Sequence, residues 1–343
     1  MDRWIIACGS LGKDDVKMVR IILVLNAAWL LTVSAAVAGE YAIMKVDTDT
    51  LLEWQARYDQ GPEVHYDEAL DTPQGSFSIL NHVNYIPVEY NQGNCGNCWQ
   101  WAGTTTLAVA LHVSHNVFER LSVQHVNSCV DSVLGINCCA GASVWDLADF
   151  YNSVGFLVPW SNINAQFEDA DAACDVSCGS IGTFPHYPVL AMSAYRITTR
   201  GVGQTVAINN IKNVLHQNRA VVLGFGLPDT ASWDNFKVTF WSNQPETTLW
   251  NSDSSCGSTY TTTGGWHAVT CVGYNDNNPS NRYWIMLNSW GTADGMRPNS
   301  LYRLDMDLNY DCQLWDPVNS VWVYNLSFEA MSVTFSSNYC PCP

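Results

Sequence analysis

Apolar residues recur at helical spacing in four stretches of the chain. In the first stretch, Leu51 and Tyr58 fall on one helical face, residues 47–50 offer an N-cap, and Gly61-Pro62 ends the pattern. The other three stretches predict helices over residues 98–115, 145–155 and 207–218. All four stretches precede residue 220, so the first part of the chain is predicted to be mainly helical.

Strand patterns dominate the rest of the chain. An apolar run over 220–226 predicts a buried strand, while residues 267–275 and 281–290 flank an Asp/Asn/Pro-rich turn that predicts a hairpin. Further strand patterns cover residues 300–308 and 319–335. Because helices come first and strands follow, the sequence predicts an α+β fold with segregated lobes.

The first forty residues have the pattern of a secretory signal. Arg20 precedes an apolar run that ends at Ala36-Val37-Ala38, which predicts a signal peptide over residues 1–38, with Met18 as an alternative start. A membrane anchor is the alternative, because the run has about the minimum length that spans a bilayer. Small residues at its end favour cleavage, and no later segment is apolar enough to span a membrane. We therefore expect a secreted protein, either extracellular or in a lytic compartment.

Charge and cysteine content narrow the function classes. The 343-residue chain carries 15 Lys+Arg against 32 Asp+Glu, a net charge of −17 that opposes binding to nucleic acid phosphates. Its hydrophobic content of 47% is typical of a globular protein and not of a disordered one. Of the 13 cysteines only Cys8 lies in the leader, and the others would cross an oxidising compartment where disulfides form.

The stretch NQGNCGNCWQW over residues 91–101 holds two cysteines, Cys95 and Cys98, three positions apart. A redox pair would require a thioredoxin-like βαβ context, which the surrounding pattern lacks. A zinc site would require further ligands at recurrent spacing; Cys138-Cys139 and the Cys174/Cys178 pair could supply some, but no second CxxC or HxxxH accompanies them. The third interpretation is nucleophilic catalysis, which fits the remaining residues best.

A catalytic cysteine needs a lowered pKa, a histidine, a residue that orients the histidine, and donors for an oxyanion. Cys98 lies at a predicted helix start, where the helix dipole stabilises a thiolate. Gln92 can present a side-chain amide from the preceding Gly-rich loop. His267 opens an apolar strand, and Asn288 ends the neighbouring strand of the predicted hairpin, so the two side chains should lie together.

These residues lie in a series of blocks that resembles the papain family of cysteine peptidases over about residues 76–312. The blocks are, in chain order, QGNCGNCW, LSVQHVNSC, CCAGA, SCGS, GGWHAVTCVGY and YWIMLNSWG. The resemblance implies a two-lobed α+β fold, with a mainly helical left lobe at about 90–190, a β-barrel-like right lobe at about 191–335 and the active site in the cleft between them. It also implies a secreted cysteine endopeptidase.

The resemblance assigns roles to the matched residues. Cys98 corresponds to the nucleophile, His267 to the acid/base and Asn288 to the residue that orients the histidine. Gln92 and the Cys98 backbone N–H would bind the oxyanion, and Trp290 would shield the His–Asn hydrogen bond. A Cys98 thiolate–His267 imidazolium pair would then hydrolyse peptides through a thioester acyl-enzyme.

Substrate-binding residues and disulfides also follow from the resemblance. Gly141, Ala142, Trp145 and Trp290 are expected at the substrate cleft. The expected disulfides are Cys95–Cys139, Cys129 with either Cys174 or Cys178, and Cys256–Cys312. Cys271, inside a predicted core strand, is expected to be a free buried thiol, while Cys138, Cys340 and Cys342 receive no assignment.

The chain departs from the family pattern at three positions. Asn97 precedes the nucleophile where the family usually has Ser or Ala, Trp266 precedes the histidine where Asp or Asn is common, and Ala142 replaces a glycine. The interval from Cys98 to His267 is also longer than the roughly 130–150 residues typical of the family. All four residues that correspond to the catalytic set are present, which argues against an inactive relative.

Residues 39–75 are expected to form a short pro-segment that is cleaved near 72–78, because enzymes of this family are usually made with a propeptide in the cleft. The segment lacks the longer helical propeptide pattern common in the family, and the alternative is that it stays attached. Residues 76–343 would then be the catalytic domain. Protein or peptide substrates, no cofactor, no metal, no nucleic acid and a monomeric state are expected. The alternatives are an acyl-transferase or exopeptidase on the same scaffold, and a catalytically silent binding protein.

Three local motifs have simpler interpretations. His112 and His115 could bind a metal, but an exposed helical face is the favoured explanation. Asp276-Asn277-Asn278 could bind calcium, although a hairpin turn explains it better. Asn325-Leu326-Ser327 is a glycosylation sequon.

Overall fold

The computed structural model describes residues 42–70 and 73–336. The predicted signal peptide, with Cys8, lies outside the described residues, and so do Cys340 and Cys342. In the described part of the chain, every helix is too short or too polar to cross a lipid bilayer.

Helices occupy the four positions that the apolar spacing predicts, and the structure adds α3, α6 and a π-helical stretch. The helix α3, with Ser122 as its N-cap and Gly135 as its C-cap, was not predicted, although both capping residues are visible in the sequence. The main helices are α1 (Thr48–Gln60), α2 (Cys98–His115), α3 (Val123–Leu134), α4 (Val144–Val154) and α5 (Gln204–His216). A short α6 (Thr230–Asp234) leads into a π-helical stretch, Asn235–Ser242.

The strands form a nine-stranded sheet and a separate hairpin. Neighbours in the large sheet run β2-β3-β11-β4-β6-β7-β8-β5, with β1 paired to β6. This path is open, whereas the resemblance implied a barrel-like lobe. The strands are β1 (Ser76–Ser78), β2 (Phe156–Leu157), β3 (Tyr187–Arg196), β4 (Val221–Leu227), β5 (Leu249–Trp250), β6 (Gly265–Asn275), β7 (Tyr283–Leu287), β8 (Leu301–Asp305), β9 (Gln313–Asp316), β10 (Val321–Tyr324) and β11 (Leu326–Phe335).

The predicted hairpin of β6 and β7 is present, and it sets the register of the site. Cys271 lies opposite Met286, and Thr270 lies opposite Leu287. Asn288, the residue after β7, therefore lies beside the buried first half of β6, which holds His267. Strand β4 lies on the other side of β6 and places Phe225 opposite His267. Every residue of β6 from Gly265 to Tyr274 is buried, which explains its unbroken apolar run.

Helix α2 packs against β6 and β11 and is buried along most of its length. Trp101 and Leu107 are buried as predicted, but Val113 is 43% exposed because the last turn of the helix projects from the core. Most buried apolar side chains of α2, α3 and α4 lie in one cluster, together with residues of β3 and β11, and those of α5 lie with most residues of the central strands in another.

Four disulfides connect the described cysteines. Two bonds are the predicted ones, and the choice that the sequence left open for Cys129 falls on Cys178. The bonds are Cys95–Cys139, Cys129–Cys178, Cys138–Cys174 and Cys256–Cys312. Cys98 and Cys271 are free and buried, so the cysteine proposed as the nucleophile retains its thiol.

Burial changes the interpretation of the sequon. Asn325 is 0% exposed, and its Oδ1 accepts a hydrogen bond from the Gly226 backbone at 3.0 Å. A glycan cannot reach this side chain in the folded protein. The Asp276 turn, in contrast, is a hairpin turn as favoured, and the Asp276 carboxylate pairs with Lys212 at 3.0 Å.

Candidate active site

Cys98 is the first residue of α2 and is fully buried. The helix begins here because the Asn97 carbonyl accepts the backbone N–H groups of Gln100 and Trp101, at 2.9 and 3.3 Å. Immediately before the helix, the Cys95–Cys139 bond fixes the loop. The CxxC motif is therefore one structural cysteine followed by one free thiol at a helix N-terminus, where the helix dipole favours a negative charge.

His267 and Asn288 meet across the β6–β7 hairpin. The distance from His267 Nε2 to Asn288 Oδ1 is 2.7 Å. Because an amide oxygen only accepts hydrogen bonds, Nε2 carries the proton and Nδ1 is left with its lone pair. His267 Nδ1 has no hydrogen-bond partner among the described residues. The adjacent Ala268 N–H points to the Cys98 sulfur at 3.3 Å, which places the thiol beside the histidine.

Trp290 covers the imidazole of His267. The two rings stack with centroids 4.4 Å apart and planes inclined by 27°, and Phe225 meets the same imidazole edge-on. His267 and Asn288 are both fully buried, and Trp290 lies at the position where the resemblance expects it to cover their hydrogen bond.

The Gln92 side chain is fixed at both ends of its amide. Its Nε2 donates to the carbonyl oxygens of Cys95 at 2.7 Å and Ala42 at 3.1 Å, while its Oε1 accepts from the Ser289 hydroxyl at 2.6 Å. Sequence reasoning missed Ser289, although it lies in the quoted block LNSWG. By holding Oε1, Ser289 directs the donor end of the amide away from itself and toward the cleft.

A strand-like segment around Met44 covers this group of residues. Met44 and Trp266 exchange both backbone hydrogen bonds, at 2.8 and 2.9 Å. On its other side the segment contacts Gly141 so closely that an added Cβ would lie 2.7 Å from the Met44 Cβ. The segment therefore lies in the cleft between Gly141 and Trp266.

An apolar pocket continues from the covered cleft. Ala142 and Trp145, two of the residues expected to bind substrate, line it, and Glu329 lines it from β11. Leu51 and Tyr58 of α1 lie against the same pocket and leave a cavity of about 50 Å³. Residues of the segment and of α1 thus contact Gly141 and line the same pocket as Ala142 and Trp145.

A family model described as papain family cysteine protease matches residues 81–321. The chain belongs to this family. The matched range contains Gln92, Cys98, His267 and Asn288, and it includes all four disulfides of the described residues.

Curated relatives of this papain-family chain are distant in sequence. The senescence-specific cysteine protease SAG12 of Arabidopsis thaliana is 27% identical over 209 residues, which are 60% of this chain and 49% of the relative. Cathepsin Z of Onchocerca volvulus is 22% identical over 256 residues, 70% of this chain and 76% of the relative. The match thus spans only about half the length of the first of these relatives.

Solved structures support the fold. Procathepsin B S9 from Trypanosoma congolense has a TM-score of 0.57 at 17% identity, over 95% of this chain and 99% of that one. The bromelain protease from Ananas comosus, solved in complex with the E64 inhibitor, has a TM-score of 0.51 at 17% identity, over 77% of this chain and 100% of that one. The predicted papain-like α+β fold is therefore confirmed.

Burial controls the protonation of this papain-family site. It raises the pKa of the Cys98 thiol to about 12, although the backbone N–H groups of Ala268, Trp99 and Met44 partly oppose the rise. It also lowers the pKa of His267 to about 4, against a smaller rise from the bond to Asn288. Under the covering segment both groups are neutral near pH 7, and the expected thiolate–imidazolium pair is disfavoured.

The redox and zinc interpretations of the cysteines do not fit the structure of this papain-family chain. Cys95 is bonded to Cys139 and not to Cys98. Within the described ranges, the one group suited to a metal ion consists of Cys138, Cys139 and Cys174. All three belong to disulfides, so no thiolate is free to bind a metal there.

Proposed function

We propose that this chain is a secreted cysteine endopeptidase whose nucleophile is Cys98. The observation that carries the proposal is a free thiol at a helix start, beside a histidine whose far nitrogen is held by Asn288. The third element is a donor amide, that of Gln92, held at the mouth of the same cleft. These are the parts that acyl transfer through a thiolate requires.

The proposed reaction proceeds in two halves. His267 Nδ1 takes the proton of Cys98, and the thiolate attacks the scissile carbonyl carbon. The Gln92 Nε2 and the Cys98 backbone N–H donate to the resulting oxyanion. The imidazolium then gives its proton to the leaving amine as the C–N bond breaks, which leaves a thioester. In the second half, His267 takes a proton from water as the water oxygen attacks the thioester carbon. The C–S bond then breaks, the acid product leaves, and the imidazolium returns its proton to the Cys98 sulfur.

We also propose that residues 42–60 act as a pro-segment that must leave the cleft before the reaction begins. The Ala42 carbonyl already accepts from Gln92, at the position proposed for the oxyanion. Met44 exchanges both backbone hydrogen bonds with Trp266, the residue before His267, so the segment lies across the proposed site.

The anchoring of residues 73–75 bears on where the chain would be cut. The Pro73 carbonyl accepts from Lys212 at 2.7 Å, and the Gly75 N–H donates to Asp276 at 2.6 Å. Lys212 and Asp276 form a buried ion pair. Cleavage before Pro73 preserves these contacts, whereas cleavage after Pro73 would deprive the buried Lys212 ammonium group of the Pro73 carbonyl. The anchor favours the upstream end of the predicted window, residues 72–78.

Secretion is proposed on two grounds. The N-terminal sequence has the pattern of a signal peptide, and the described residues carry four disulfides, which persist in oxidising compartments. Extended peptides are the proposed substrates, because the covering segment itself lies extended between Gly141 and Trp266.

Labelling with an epoxysuccinyl cysteine-peptidase probe tests the proposal. The full chain would be labelled before and after processing upstream of Pro73, and a peptide library would be assayed in parallel. We expect labelling of Cys98 and cleavage of peptides only after processing. Cys98→Ala should abolish both signals. The matched control is Cys271→Ala, which removes the other free buried thiol and should retain both signals. A folded, processed and reduced protein that neither reacts nor cleaves any peptide would refute the proposal.

A further inference from the structure

A buried polar chain lies behind the loop that carries Cys98. It starts at Asp169, a carboxylate only 2% exposed, in a short turn between α4 and β3. One oxygen, Asp169 Oδ2, accepts from Gln124 Nε2 at 2.6 Å and from Asn127 Nδ2 at 2.7 Å. Both amides come from α3, so this buried charge is bound by two side chains of a single helix.

The carboxylate fixes the orientation of the Asn127 amide. Because carboxylate oxygens only accept, Nδ2 of Asn127 must face Asp169, and Oδ1 must face the opposite way. There it accepts from Asn97 Nδ2 at 3.3 Å and from the Cys139 backbone N–H at 3.2 Å. Asn127 thus joins the residue before the nucleophile to the cysteine that anchors the nucleophile loop.

Asn97 is held mainly through this contact and a second bond from the same Nδ2 to Gln100 Oε1, at 3.2 Å. Its own Oδ1 is buried and has no hydrogen-bond partner among the described residues. A serine, which is usual at this position in the family that the sequence resembles, is too short to place a donor where Nδ2 lies. Asn97, which departs from the family pattern, therefore has a hydrogen-bond partner in Asn127 that the sequence did not reveal.

The Asp169 turn also supports the other end of the nucleophile loop. The Asn94 N–H donates to the Ala170 carbonyl at 2.6 Å. Gly93 has a φ of +57°, and an added Cβ there would lie 2.2 Å from the same carbonyl oxygen. The turn at residues 169–170 therefore contacts the start of the loop directly, through Ala170, and supports its end at Asn97 indirectly, through Asn127.

We propose that Asp169 is a positioning residue for catalysis, acting through Asn127 and Asn97 on the orientation of the Cys98 thiol and backbone N–H. The proposal rests on the proposed function. With an amide at position 169, Asn127 can rotate, because an amide both donates and accepts. Rotation would leave Asn97 Nδ2 and the Cys139 N–H without their acceptor, and the start of α2 would lose its lateral support.

The first test is Asp169→Asn, with rates expressed per active site titrated by the epoxysuccinyl probe. We expect kcat per titrated site to fall about tenfold with KM nearly unchanged, less than the 10²-fold that a misplacement of 1 Å can cost. Titration removes the effect of unfolded protein from the comparison. Asp171→Asn is the matched control, since it changes an exposed carboxylate of the same turn and should leave kcat as it is.

The second test separates positioning from general stability. Asn97→Ser, which removes the Nδ2 donor at the loop, should reproduce the loss in kcat even if Asp169→Asn fails to fold. In the double variant kcat should be no lower than in the weaker of the two single variants, because both substitutions break the same chain of hydrogen bonds. A wild-type kcat in Asn97→Ser, or multiplying losses in the double variant, would overturn the inference. A wild-type protein that the probe cannot titrate would refute the proposed function instead.

Discussion

The orientation of a single amide decides what Gln92 can do at the cleft. An amide has a donor end and an acceptor end, and only the donor end can bind an oxyanion. In this chain the orientation is fixed at both ends of the amide, because the Ser289 hydroxyl donates to Oε1 and the Cys95 carbonyl accepts from Nε2. Gln92 is thus held in its donor orientation before any substrate arrives.

Ser289→Ala tests this orientation. The variant loses one neutral hydrogen bond, worth about 1 kcal/mol, so kcat should fall about fivefold while labelling of Cys98 persists. Steady-state kinetics on the processed protein, per titrated site, provide the measurement. The control is Ser153→Ala, whose exposed hydroxyl donates to a helix carbonyl in α4. An unchanged kcat in Ser289→Ala would mean that Cys95 alone holds the amide.

At the residue scale, the sequence predicted which four side chains would make up the proposed site. Gln92, Cys98, His267 and Asn288 were selected from motif blocks, and the structure brings them into one cleft. The supporting residues were not found, because each contact joins segments that are distant in sequence. Asp169 is an example: its carboxylate binds amides of α3, about forty residues earlier in the chain.

At the scale of elements, α1 carries two kinds of contact with the rest of the protein. Tyr58 is buried, donates its hydroxyl to the Ile197 carbonyl at 2.8 Å, and lies under the Arg200 guanidinium. Arg57 lies at the surface and pairs with Asp146 and Asp149 of α4. The buried Tyr58 should contribute most of the free energy that holds α1 against the rest of the protein, since ion pairs at the surface contribute little to stability.

Two variants of α1 test this ranking in the full, unprocessed chain. Tyr58→Ala removes a buried aromatic ring, at a cost on the order of 3 kcal/mol, and should raise the rate of Cys98 labelling by up to about 10²-fold. Arg57→Ala should raise the same rate only a few fold. The rates would be followed by mass spectrometry under native conditions. Equal rates in the two variants would contradict the ranking.

At the scale of the whole molecule, the covered cleft includes a buried acid. Burial raises the pKa of Glu329 to about 7 from 4.5, opposed by a hydrogen bond from Ser327 and by the charge of Arg200. The folded state therefore keeps a proton that the unfolded chain releases. The stabilisation of the folded state by the protonated Glu329 carboxyl group is fully present below pH 4.5 and is lost as the pH rises through 7.

Glu329→Gln should remove this dependence. Near pH 8 the variant should be more stable than the wild type by about 3 kcal/mol, and the difference should vanish near pH 4. Urea unfolding of the full chain at the two pH values provides the measurement. Glu53→Gln, at an exposed position of α1, should show no such change. A difference that is independent of pH would contradict the assignment to Glu329.

The sequence by itself determined the α+β class and the resemblance to the papain family. That resemblance implied the proposed catalytic side chains and two of the four disulfides of the described residues. These follow from local patterns, because periodicity and motif blocks are written in neighbouring residues. Only the tertiary structure decided the partners of Cys129 and Cys138, the support of Asn97 by Asp169, and the occupation of the cleft by residues around Met44. Each of these is a contact between segments distant in sequence, and such contacts exist only after the chain has folded.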